Sequence, residues 1–181
     1  MESGPRRADA QRNRERLLAA AREVFADRGV GAPLDEVARR AGVGNATMYR
    51  HFADRRELAL AVYADEVDAL CERGADLLGA ADPGAALFDW LGAFVDHVSS
   101  KRDLAELGTA DQPSSRYAQW HEAMHRTAAN LVDRARQAGA VRPDLDAADL
   151  LVLVAGIALT GTTADRTRRL LTLIRHGTDA H

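Results

Sequence analysis

At 181 residues, 46 % apolar and 28 % charged, the chain can form one or two domains with a buried core and is not a disordered polypeptide. Its formal net charge of −3 is unevenly spread: residues 1–56 hold 12 arginines against 8 acidic residues, a balance of +4, which leaves −7 for the remainder, the pattern of a nucleic-acid head on a non-binding body. A single cysteine, Cys71, excludes an internal disulfide and a multi-cysteine metal site; the first seven residues lack the apolar core of a secretory signal, and the longest apolar-plus-glycine run, Leu150 to Leu159, is about half a bilayer span, so a soluble cytoplasmic protein with no membrane partner is expected.

Helical periodicity dominates and no stretch alternates as a strand would, so the expected class is all-α with about nine helices. Residues 1–10 are expected to form a flexible basic tail; Arg6, Arg7 and Arg12 could enter a minor groove, although such tails are ordinarily disordered. A first helix is predicted over about 11–27, with Leu17, Ala21, Val24 and Phe25 inward and Gly29 ending it. The segment 34–52 then has the pattern of two short helices hinged at a glycine. Leu34, Val37, Ala38 and Ala41 share one face, and Ala38 is small enough to let a second helix pack close. Gly42 stands where a helix ends and the backbone turns left-handed, a conformation glycine takes without a side-chain clash. Val43, Met48 and Phe52 anchor the second helix from behind, leaving Asn45, Ala46, Thr47, Tyr49, Arg50 and His51 over its outer surface and ends. A helix-turn-helix of this kind lays its second helix in the major groove, where base edges carry a distinguishable code. The same spacing occurs in ordinary helical hairpins. Here Arg50, Arg55 and Arg56 bracket the C-terminal end of the second helix and suit phosphates on either side of a groove, which favours DNA.

Asp54, with Glu57 three residues on, has the pattern of a capping box and opens a long helix to about residue 78. The domain boundary is set near residue 56, giving a helix-turn-helix DNA-binding domain over 11–56 and a helical domain over 57–181. After a break at 79–84, helices are expected over about 85–100, a short piece near 102–107, 114–138, from 146 or 147 to 159, and 164–176. Ser99, Ser100, Ser114 and Ser115 fall at predicted helix ends, where serine ordinarily caps. With no phosphate loop, nucleophile elbow or oriented Cys–His pair, neither an enzyme nor a cofactor is expected.

In the second domain Trp90 and Phe94 are four apart, as are Trp120 and Met124, so each pair shares a helix face. They could line a cavity for an apolar or aromatic ligand, with His97, His121 or His125 as a polar handle; aromatics at this spacing are as often plain core. His121 and His125 lack a third ligand, so no metal site is expected.

The phrases Leu17-Leu18-Ala19-Ala20-Ala21-Arg22-Glu23-Val24-Phe25, Val37-Ala38-Arg39-Arg40-Ala41-Gly42-Val43 and Thr47-Met48-Tyr49-Arg50-His51-Phe52, with Arg55 and Leu58 behind them, resemble the tetracycline-repressor (TetR) family of bacterial transcriptional regulators. The resemblance is close over about 11–63, and beyond that it extends to helix count and order. It implies a homodimer on a near-palindromic operator that usually lets go when a small molecule occupies the larger domain. Carried over by position, Thr47, Tyr49 and His51 would contact phosphates, Arg55 would stand where the family usually has a phosphate-gripping lysine, and Asn45, Ala46 and Arg50 would face bases. Pro33 departs from the pattern, since the family commonly has a capping threonine or serine there, and proline offers neither hydroxyl nor N–H. For the dimer, a helix apolar on every side must be buried on every side, so Leu150, Val154, Ile157 and Gly161, with Leu170 and Ile174, are expected to pack against their twins. The expected function is a ligand-responsive repressor acting on a double-stranded operator; the alternative is a DNA-binding regulator without a small ligand, controlled by a protein partner.

Overall fold

Side-chain capping sets several helix starts in the computed structural model, which describes residues 4–106, 115–161 and 163–179, with side chains for 8–99, 118–161 and 163–179. Among the described residues there are eight helices: α1 Gly4–Arg28, α2 Leu34–Ala41, α3 Asn45–His51, α4 Arg55–Leu77, α5 Pro83–Glu106, α6 Ser115–Gln137, α7 Ala147–Leu159 and α8 Ala164–Thr178. The count is eight rather than nine because the short piece expected near 102–107 is continuous with α5, and Ser99 and Ser100 lie inside that helix instead of capping its end. α1 begins at Gly4, so residues 4–10, expected as a flexible tail, belong to a helix. Asp54 accepts from the Glu57 N–H (2.8 Å) while the Glu57 carboxylate accepts from the Ala53 N–H (2.7 Å), a reciprocal cap at the start of α4. Asp82 caps α5 through the Ala85 N–H, with Pro83 as its first residue, and Asp146 caps α7 through Ala148 and Asp149.

The chain divides into two compact units, one built on residues up to Asp65, the other from Glu66 onward apart from a short later stretch. The division lies further along α4 than the residue-56 boundary expected from sequence. In the first unit Leu17, Val37, Ala38, Met48 and Leu58 are wholly removed from solvent. Each large apolar side chain buried this way contributes about 1.5–3 kcal/mol. The rim is tied by arginine–carboxylate pairs: Arg22 with Asp65, Arg40 with Glu23, Arg28 with Glu36.

The second unit packs around Trp90, fully buried, whose indole Nε1–H donates to the Leu70 carbonyl (2.9 Å) and whose ring stacks on Phe94 at 5.6 Å. Gly74 lets α4 approach that ring: a Cβ there would lie 3.0 Å from the indole nitrogen and collide with Thr127 of α6. The Arg142 N–H donates to the Thr178 carbonyl (2.9 Å) and fastens the end of α8 to the loop after α6.

Candidate nucleic-acid interface

The α2–α3 turn is built by backbone bonds that a left-handed residue makes possible. Gly42 has φ +63, the Val43 N–H donates to Ala38 (3.0 Å) and the Gly42 N–H to Arg39 (3.1 Å), which is a Schellman closure of α2. Arg16 of α1 reaches across to donate to the Gly42 carbonyl (3.2 Å). Pro33 sits in extended conformation before α2 with no side-chain cap, as its chemistry requires. α3 also starts without a side-chain cap: its first turn is closed by the Thr47 and Met48 N–H groups donating to the Gly44 carbonyl.

With Met48 buried beneath it, α3 leaves Asn45, Ala46, Tyr49 and Arg50 exposed and Thr47 and His51 half-buried. The six residues thus all keep at least part of their surface open to solvent. The Asn45 Nδ2 donates to the Asp35 carboxylate of α2 (3.0 Å), and the Arg50 Nε folds back onto the Ala46 carbonyl (3.2 Å). Tyr49 is 49 % exposed, so its ring is not packed beneath the helix. Arg55 is engaged: its Nη1 donates to the carbonyls of Val30 (2.7 Å) and Ala32 (2.6 Å) in the α1–α2 loop. Its remaining N–H groups are what it could offer a phosphate. Among residues 1–65 the cationic side chains other than histidine are all arginines, with no lysine. Arg12 pairs with Asp9, while the side chains of Arg6 and Arg7 lie outside those described.

In the second unit Trp90, Phe94, His97, Trp120 and Met124 are buried, whereas His121 is exposed on α6, as is His125. His97 Nδ1 lies 3.5 Å from the Glu66 carboxylate, a partner that sequence spacing does not reveal. The expected self-association residues separate. Leu150 and Val154 are buried within their own chain, so they are not on a free surface; Ile157, Leu170 and Ile174 are half-buried and Gly161 is exposed. The large apolar groups that face solvent there are Val152, Leu153, Leu159 and Leu173, 54–70 % exposed.

Residues 17–62 match the model of bacterial regulatory proteins of the tetR family, and residues 82–180 that of the SbtR-like transcriptional regulator C-terminal domain. The chain is 34 % identical to a TetR transcriptional regulator from Streptomyces coelicolor, covering 92 % of this chain and 98 % of that one with a TM-score of 0.81. It is also 34 % identical to a TetR regulatory protein from Mycobacterium vanbaalenii, covering 97 % and 99 % with a TM-score of 0.78. Among curated proteins it is 52 % identical over 58 residues to the transcriptional activator FasR of Mycolicibacterium smegmatis, and 45 % identical over 58 residues to the regulator SrpR of Pseudomonas putida. Those matches cover 32 % of this chain and only 26 % and 27 % of the two relatives, about a quarter of each.

Proposed function

Because this chain belongs to the tetR family of bacterial regulatory proteins, we propose that it acts as a homodimeric repressor that grips a palindromic operator and is released by a small apolar or aromatic effector. The family consists of transcriptional regulators rather than enzymes. The observation that carries the proposal is the surface of α3: Asn45, Ala46 and Arg50 exposed for bases, Thr47, Tyr49 and His51 beside them for phosphates, over a buried Met48. Arg50 can donate two parallel bonds to guanine O6 and N7, a contact that discriminates by about 1–3 kcal/mol.

Two-fold DNA requires two reading helices about 34–36 Å apart. Support for a dimer comes from Val152, Leu153, Leu159 and Leu173, large apolar groups open to solvent on α7 and α8, with Ile157, Leu170, Ile174 and Gly161 partly or fully open beside them. Support for an effector comes from the His97–Glu66 pair, 3.5 Å apart, in a unit whose interior also holds Trp90, Phe94 and Met124. No helix among the described residues is long and apolar enough to cross a membrane.

The experiment is selection of genomic fragments by the purified protein, followed by binding to the recovered sequence across a salt series. One short inverted repeat is expected, with affinity falling steeply as salt rises. Arg50→Ala should weaken that sequence more than random DNA. No enrichment over input would overturn the reading.

A further inference from the structure

The hydrogen bond between Asp35 and Asn45 joins the two helices of the reading head, and its chemistry is directional. A carboxylate at neutral pH only accepts, so the group of Asn45 that faces Asp35 must be the Nδ2 amino, and the amide cannot be turned about. Asparagine has two N–H groups. With the one far from its carbonyl oxygen held by Asp35, the oxygen and the adjacent N–H remain side by side. That acceptor–donor pair matches the N6 amino and N7 of adenine in the major groove. An asparagine with a free amide presents either edge and loses side-chain freedom on binding; one already held does not. Asp35 is itself exposed, and its negative charge opposes phosphate, so it adds nothing to general DNA affinity.

We infer that Asp35 is a positioning residue for sequence readout: it fixes the polarity of the Asn45 amide so that α3 prefers adenine at one position of each half-site. This rests on the proposal that α3 reads operator DNA. The pair is solvent-exposed, with no part in the apolar core. Substitution there leaves the fold intact, which a melting curve checks.

The test is selection from a randomised duplex library with the wild type, Asp35→Ala, Asn45→Ala and the double variant, reading base preference position by position. The wild type should show an adenine preference that Asn45→Ala abolishes. Asp35→Ala should flatten the same position by roughly tenfold, leave every other position unchanged, and bind random DNA as well as or better than the wild type. The double variant should be no flatter than Asn45→Ala alone, because the two residues act as one unit. An unchanged preference in Asp35→Ala, or a loss spread evenly over all positions, would overturn the inference while leaving operator binding standing. If the wild type selects no sequence, the operator reading fails and takes this one with it.

Discussion

Removing the head of Arg55 separates scaffold from contact. Its Nη1 donates to two carbonyls of the α1–α2 loop, those of Val30 and Ala32, residues only 5 % and 4 % exposed. Arg55→Met keeps the aliphatic stem and withdraws both donors. Bonds from a charged donor contribute about 1.5–3 kcal/mol each, but one nitrogen serves both acceptors and the arginine is half-buried, so solvent screening reduces the total to about 2 kcal/mol. At about 1.4 kcal/mol per factor of ten, the loop should open roughly 30-fold more often. Hydrogen–deuterium exchange read by mass spectrometry resolves this: peptides spanning the α1–α2 loop should exchange faster by that factor, while peptides of the unit beyond Glu66 stay as they were. A change below about threefold would refute the reasoning. The carbonyls would then be satisfied by water, and Arg55 would be free for phosphate, its loss lowering the salt slope of operator binding by about 0.9 instead.

Gly42→Ala forces a Cβ into a residue at φ +63 and brings it 2.5 Å from the Arg16 guanidinium. The left-handed cost alone is about 1–2 kcal/mol, so the melting temperature followed by circular dichroism should fall by roughly 2–8 °C, and no fall would refute the strain argument. Trp90→Phe keeps the stack on Phe94 but loses the 2.9 Å bond to the Leu70 carbonyl and part of the ring volume. About 2 kcal/mol should be lost in urea titrations followed by Trp120 fluorescence, and a loss under about 0.5 kcal/mol would show that the indole N–H contributes nothing. The Arg142 guanidinium, bonded to Asp144 at 2.5 and 2.6 Å, holds that carboxyl below the usual aspartate range. Whatever stability it gives is therefore present above the ordinary aspartate value of about 3.9 and lost as pH falls through the lower folded value. Carboxyl-carbon NMR should find the depressed midpoint, and Arg142→Gln should raise it; equal midpoints would remove the claim.

What the chain displays in its letters is what depends on neighbours three or four residues away. Gly42 marked the left-handed turn, Asp54 with Glu57 the capped start of α4, and Leu34, Val37, Ala38 and Ala41 the buried face of α2. Longer-range facts left no such trace. Asp35 and Asn45 are ten apart across a turn, and nothing in spacing says that one holds the other. An arginine stem has several rotatable bonds, so Arg55 could equally point outward; only the folded loop turns it onto Val30 and Ala32. α7 is apolar on nearly every side, so periodicity carries no phase, and spacing does not separate the buried Leu150 and Val154 from the exposed Val152 and Leu153. The early start of α1 is not legible because its first residues are mostly polar and charged, giving no apolar stripe to count.

The guanidinium character of the first unit has a consequence for control. A guanidinium does not titrate in any cellular pH range and offers no amine to acylate. No lysine occurs before Lys101, so lysine acetylation has no target among residues 1–65. The charge of those arginines is thus a constant of the molecule rather than a dial. Control that acts through those arginines has to alter where they stand, because it cannot alter their charge.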